Sequence, residues 1–199
     1  IILADEPTGD LDSKTGEQLL YGGKSAGYTL DPQEQIAYVS AHDNETLFDA
    51  IQLKASAETL VATRARMAGL GLGLVLLSQG VPFIHAGDEL LRSKSLDRNS
   101  YNSGDWFNRI DWTYQTNNWG VGLPAEGDNK EQWPLMQPLL ANPALKPAPE
   151  DIRRTLATVQ DLLKIRKGSQ LLRMRTAAEV QQKLSFLNNG TAQIPGLIV

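Results

Sequence analysis

Ile36-Ala37-Tyr38-Val39-Ser40 runs into Ala41-His42-Asp43-Asn44, and further along Val81-Pro82-Phe83-Ile84-His85 follows Gly80 and runs into Ala86-Gly87-Asp88. Each stretch reads as a short apolar strand that delivers polar side chains into a loop. Pro82 is tolerable there, because the first residue of a strand need not donate to a ladder. Between the two, residues 57–78 carry apolar side chains at Leu60, Val61, Met67, Leu70, Leu74 and Leu77, a helical spacing. The glycines of this segment weaken a helix intrinsically and point to close packing against a sheet. Strand, helix and strand in that order predict a βαβ unit with parallel strands.

Downstream, residues 92–127 are polar, glycine-rich and aromatic without a sustained period, which predicts a long loop of the kind that often carries function. Residues 150–167 predict an amphipathic helix: Pro149 precedes it, Ile152, Leu156, Val159, Leu162 and Leu163 form the inward face, and Gly168 ends it. Residues 184–187 and 197–199 read as strands of a following β element. Upstream, residues 1–4 read as a buried strand and 13–21 as a short helix, and the breaker cluster at 22–27 marks the main boundary.

The chain has 199 residues, 41% hydrophobic and 21% charged, enough for one or two cores and inconsistent with global disorder. Nineteen Lys and Arg against 23 Asp and Glu leave a net charge of -4, so no basic surplus is present to bind nucleic acid. The absence of cysteine excludes disulfides, thiolate metal sites and a cysteine nucleophile, and leaves the redox compartment open. The first residues lack the features of a secretory signal, and no initiator methionine is present, as expected of a piece of something longer. The most apolar stretch, residues 67–77, falls short of the roughly 20 residues a bilayer requires, so a buried helix is expected rather than a membrane partner. Localisation stays open.

Two resemblances follow. Ile1-Ile2-Leu3-Ala4-Asp5-Glu6-Pro7-Thr8-Gly9-Asp10-Leu11-Asp12 is similar to the Walker B strand and D-loop of ABC-transporter ATPases. That likeness implies a magnesium-holding role for Asp5, a water-polarising role for Glu6 and a subunit contact for Leu11-Asp12. It covers only about the first twenty residues. No glycine-rich phosphate loop ending in Lys and Ser or Thr accompanies it, and Gly22-Gly23-Lys24-Ser25 supplies the ending alone, so ATP hydrolysis is not expected.

The second covers far more. Residues 26–35, Tyr38-Val39-Ser40-Ala41-His42-Asp43-Asn44-Glu45-Thr46-Leu47, Gly80 through Ser95, Asp97 through Asn108 and Leu145-Lys146-Pro147-Ala148-Pro149 resemble the pullulanase branch of the α-amylase superfamily, glycoside hydrolase family 13. The resemblance implies an α/β fold: a partial (β/α)8 barrel holding its last two βα units, preceded by an N-terminal strand-helix segment and followed by the start of a C-terminal β element. Residues 36–40 and 81–85 would be the seventh and eighth strands. The expected domains are 1–22 (ABC-like segment), 23–168 (partial barrel) and 169–199 (start of a β-sandwich).

In such a barrel the reactive groups sit at the carboxyl ends of the strands. The resemblance makes Asp43 the acid that steadies an oxocarbenium-like transition state and His42 a substrate-binding histidine; a fixed carboxylate beside developing positive charge is attractive, and a held imidazole can orient a hydroxyl. Asn44, Arg98, Asn99, Tyr101, Asn102, Asp105 and Trp106 are expected to bind substrate, since planar polar groups and aromatic faces suit sugars. Trp112 and Trp119 either stack on sugar or pin the loop. Asp88 and Glu89 either line the cleft or cap a helix, and His85 is expected in the core.

Retaining glycosidases also need a nucleophile and a general acid, with carboxyl groups about 5 to 5.5 Å apart. The resemblance assigns both to strands upstream of this chain, so an incomplete catalytic set is expected. Asp5 and Glu6 would substitute only if their strand packed beside the other two. The expected function is hydrolysis of starch, pullulan or maltooligosaccharide at α-1,6 or α-1,4 linkages, with a non-catalytic glucan-binding fragment as one alternative and an ATP-binding fragment as another. Unpaired strand edges predict self-association. No cofactor is required. Two histidines without ligand spacing argue against zinc, and calcium is compatible although no EF-hand spacing occurs.

Overall fold

The computed structural model describes residues 30–188 and 191–195, together with the backbone of 18–21 and 24–28. In chain order the elements are β1 (Gln18–Tyr21), β2 (Lys24–Tyr28), β3 (Ile36–Ala37), α1 (Leu47–Lys54), α2 (Val61–Leu77), β4 (Val81–Pro82), α3 (Asp105–Asn108), α4 (Glu126–Asn129), α5 (Trp133–Leu140), α6 (Pro149–Gly168) and α7 (Ala177–Lys183), with 3-10 turns between them.

Apolar burial organises the helices. Leu47, Phe48 and Ile51 of α1, Ala68, Leu72 and Leu76 of α2, and Ile152 and Val159 of α6 form one core with Leu90, Leu91, Leu96 and Trp119 from the long connection. The glycines of α2 serve helix contacts rather than a sheet. A methyl group at Gly69 or Gly73 would meet Thr158 or Leu162 of α6, and one at Gly71 would meet Leu47 of α1, all at ordinary van der Waals distance. Two arginines close the helix ends. Arg64 donates to the carbonyls of Ile51, Gln52, Ser56 and Thr59 where α1 finishes. Arg166 donates to Leu76, Ser78 and Gly80 where α2 finishes. Each places a cation where free carbonyls concentrate.

The expected parallel pairing is present: Ile36 lies beside Val81 and Ala37 beside Pro82. Val81 N donates to Gln35 O at 2.9 Å and Phe83 N to Ala37 O at 2.8 Å. Gly80, at φ +87°, permits this approach; a Cβ there would stand 2.8 Å from Gln35 O.

The partial (β/α)8 barrel is overturned. The described residues are predominantly helical, and their parallel ladder is two residues on each side. Parallel strands persist when covered on both faces; here Ile36 is 60% and Val81 44% exposed, and the backbone leaves the ladder by Tyr38 and Phe83 instead of continuing through 36–40 and 81–85. The expected C-terminal β element is absent at 184–187, which follow α7 without strand pairing; residues 197–199 lie outside the described residues. The expected N-terminal strand-helix segment is tested only in its last four residues. Residues 1–17, including Asp5, Glu6 and the Walker-like stretch, lie outside the described residues, and Gln18–Tyr21, expected as helix, pairs antiparallel with Lys24–Tyr28. The predicted helix at 150–167 is α6, although Leu163, expected to face inward, is exposed; 57–78 forms helix only over Val61–Leu77.

Candidate functional site

The connection after β4 has no periodic pattern to fold it, so side chain to backbone hydrogen bonds do the work. Asp49, fully buried in the first turn of α1, accepts from Ser93 Oγ at 2.6 Å, Lys94 N at 2.8 Å and Leu96 N at 3.3 Å. Thr46 caps the same turn by accepting from Asp49 N. Burial pushes the Asp49 carboxyl up to about 6, against the opposing effect of those donors. Leu91, Ser95 and Leu96 all sit at positive φ, a conformation costly for residues with a side chain and sustained here by the surrounding bonds. Asn117 Nδ2 donates to Leu91 O, and Ser95 Oγ donates to Asn118 O.

Beyond this grip, Asp97 joins three segments. Its carboxylate accepts from Asn99 N at 3.0 Å, Ser103 Oγ at 2.6 Å and Asn129 Nδ2 at 3.2 Å. The last bond draws α4 toward the connection, so that Asp128 Oδ2 accepts from Asn99 Nδ2 at 2.9 Å.

The loop after β3 meets this wall. Ser40 Oγ donates to the buried Asp88 at 2.6 Å, and Lys94 Nζ donates to His42 O at 3.2 Å. Asn44 adopts φ +59°. Arg98 pairs with Glu45 at 3.0 Å and reaches Asn44 Oδ1 at 3.4 Å. Asp43, Asn44, Arg98, Asn99 and Asp128 line one open cleft of about 360 Å³.

Four expected residues, Asp43, Asn44, Arg98 and Asn99, are thus brought together. His42 stands beside them, its Nε2 3.6 Å from Asp43 Oδ1, with the two side chains 87% and 78% exposed. Tyr101, Asn102, Asp105 and Trp106 do not line the cleft; they are exposed on the adjoining turns, with Trp106 Nε1 donating to Val121 O. Trp119 pins the connection from the core, edge-on to Phe48 at 6.0 Å, whereas Trp112 is exposed. Asp88 fastens the β3 loop instead of lining the cleft, and burial pushes its carboxyl up to about 6. Glu89 accepts from Gly87 N and closes its own turn. His85 is half-buried: Nε2 lies 3.3 Å from Arg92 Nη1 and Nδ1 has no hydrogen-bond partner. Burial, reinforced by Arg92, holds its imidazole down at about 4, so it is neutral at neutral pH.

Asp128 was not singled out from sequence. An acid in a short polar stretch gives no sign of facing a cleft, and the only local hint is its place beside the buried Asn129. Among the described residues no group of three His, Asp or Glu side chains is placed to hold a metal ion, and no helix is long and apolar enough to cross a membrane.

Residues 114–199 match the family model for alpha-1,6-glucosidases, pullulanase-type, C-terminal. The chain is 53% identical over 186 residues to Pullulanase 1, chloroplastic, of Arabidopsis thaliana, a match covering 94% of this chain and 19% of that protein. It is 42% identical over 190 residues to the pullulanase of Klebsiella pneumoniae, covering 94% and 17%. Apo pullulanase from Klebsiella pneumoniae superposes with a TM-score of 0.86 at 40% identity, over 93% of this chain and 20% of that one. A Klebsiella pneumoniae pullulanase complexed with maltotriose gives 0.86 at 40%, over 93% and 18%. The chain therefore spans about a fifth of the length of these relatives. Residues 114–199 thus resemble the pullulanase-type C-terminal family, and nearly the whole chain is similar to a stretch of pullulanases.

Proposed function

We propose that this chain supplies one wall of the α-glucan cleft, and the acid that steadies the transition state, in a pullulanase-type hydrolase of glycoside hydrolase family 13. The observation that carries this is the convergence of Asp43 and Asn44 with Arg98 and Asn99, from two distant stretches, on one cleft. Support also comes from the pullulanase relatives, one of which is known in complex with maltotriose. Asp43 is exposed at the cleft, where a carboxylate favours an oxocarbenium-like charge. The Arg98 guanidinium and the Asn44 and Asn99 amides present planar donors and acceptors that match adjacent sugar hydroxyls, and Asp128 adds an acceptor opposite. His42, Tyr101, Asn102, Asp105 and Trp106 extend the surface along a longer glucan.

Hydrolysis with retention at α-1,6 linkages of pullulan or starch also requires a nucleophile and a general acid. We assign these to the longer polypeptide of which the chain matches a fifth; Asp5 and Glu6 remain the in-chain alternative, dismissed by amide variants that leave hydrolysis unchanged. No cofactor is required for this reading. We further propose a domain boundary near Gly168, where α6 ends, a second near Gly22, and self-association through the apolar side chains around β3 and β4.

Maltotriose titration of the chain, followed by calorimetry beside an Asp43→Asn variant, tests the cleft. Measurable binding that weakens about tenfold in the variant is expected for loss of one charged hydrogen-bond partner. Equal affinity in both would remove Asp43 from the site.

A further inference from the structure

Lys94 is 1% exposed, an unusual place for an ammonium. Its backbone is held at both ends: N–H donates to Asp49 Oδ2 at 2.8 Å, and the carbonyl accepts from Asp97 N at 3.0 Å. The side chain then runs toward the β3 loop, where Nζ makes its one hydrogen bond among the described residues, to His42 O at 3.2 Å. Desolvation pulls the ammonium below its usual range, with Arg92 adding to that, while Asp49, Asp97 and Glu45 favour the charged form. Among the described residues it forms no ion pair with any of these acids. A buried cation directed at a neutral carbonyl calls for an account of what that carbonyl controls.

The carbonyl of His42 belongs to the planar peptide group that joins His42 to Asp43. Fixing its oxygen fixes the plane from which both side chains leave the backbone. Among the described residues neither side chain makes a hydrogen bond: both are exposed, and His42 Nε2 lies 3.6 Å from Asp43 Oδ1. On the far side, Asn44 is set by its positive φ and by Arg98. The peptide plane of His42 and Asp43 is therefore held from within the protein by Lys94 alone among the described side chains.

We propose that Lys94 is a positioning residue for the cleft acid: it does not line the cleft and acts by holding the peptide that carries Asp43. This rests on Asp43 facing the glucan, and it extends that assignment to a buried residue 51 positions away in sequence. A carboxylate that must meet a developing charge gains from being held in place before substrate arrives. The Asp49 cluster thereby shapes both walls of the cleft, one through the backbone of the connection and the other through this ammonium.

The test uses the full chain with 13C at the histidine carbonyls and 15N at the lysine side chains. In the unaltered protein a correlation across the hydrogen bond between Lys94 Nζ and the His42 carbonyl carbon is expected. In Lys94→Met, which keeps an unbranched stem and removes the charge, the His42 carbonyl resonance shifts and maltotriose affinity falls about tenfold. Ile152→Val, which loosens the core between α2 and α6, serves as the control and leaves both readings unchanged. An unmoved His42 carbonyl in Lys94→Met, or the same affinity loss in Ile152→Val, would overturn the proposal. If Lys94→Met does not fold, the correlation in the unaltered protein decides, and its absence overturns it. If the unaltered chain does not bind maltotriose, the glucan assignment fails, while the carbonyl signals still decide whether Lys94 holds the peptide.

Discussion

Acid titration of Asp49 gives the most direct access to the network that shapes the cleft. Its carboxyl is fully buried and its pKa is raised from 3.8 to about 6, chiefly by burial. The folded state holds a proton that the unfolded chain releases at lower pH. Stability from this group is therefore complete below pH 3.8, declines as pH rises toward about 6, and is flat beyond. A rise of roughly two units at about 1.4 kcal/mol each sets the loss near 3 kcal/mol, with no discount for solvent because the group is enclosed. Asp88 titrates in the same window for the same reason, so the unaltered protein alone would mix the two. Comparing it with Asp49→Asn removes that difficulty, since Asp88 contributes equally to both. Urea unfolding followed by circular dichroism at about pH 4 and about pH 7 gives the two stabilities. The unaltered protein should lose about 2 kcal/mol more than Asp49→Asn over that span, because a part of the full loss has already occurred at pH 4. Parallel changes, or a gain in the unaltered protein relative to the variant, would refute the assignment of a raised pKa to this carboxyl.

Gly80→Ala should cost about 2 kcal/mol or more, because it forces a positive φ on alanine and drives a Cβ into Gln35 O; thermal melts measure it. Arg166→Met should cost about 2–4 kcal/mol by leaving the carbonyls of Leu76, Ser78 and Gly80 without their donor, and hydrogen exchange should quicken at the end of α2. Light scattering should show association at micromolar concentration that diminishes in the double variant Tyr38→Ser, Phe83→Ser, since these rings meet edge-on at 6.1 Å on an exposed apolar face. A monomer that ignores the double substitution would count against that face.

What the sequence revealed tracks what has a period. Helix α6 was legible because Pro149, the inward apolar face and Gly168 all mark it, and the parallel pairing of β3 with β4 followed from strand, helix and strand in succession. The barrel did not follow, because a strand pattern carries no information about how many neighbours stand beside it. The cleft was half legible. Asp43, Asn44, Arg98 and Asn99 were found through motif resemblance, but Asp128 and Lys94 owe their places to bonds from Asp97 and Asp49. Such bonds run between side chain and backbone across long separations and leave no repeat to detect. The same cause hid the order of residues 92–127, whose positive-φ residues and Asn117 and Asn118 contacts are fixed by tertiary partners.

The meeting of three segments on Asp97 makes tolerance to substitution lopsided. Losing Ser103 or the Asn129 amide removes one donor and leaves the carboxylate served by the others. Losing the carboxylate releases all three at once, leaving the Asn129 amide only its bond to Ala125 O. Drift in this part of the molecule is thus expected to pass through the spokes one at a time, while the position at their centre stays acidic.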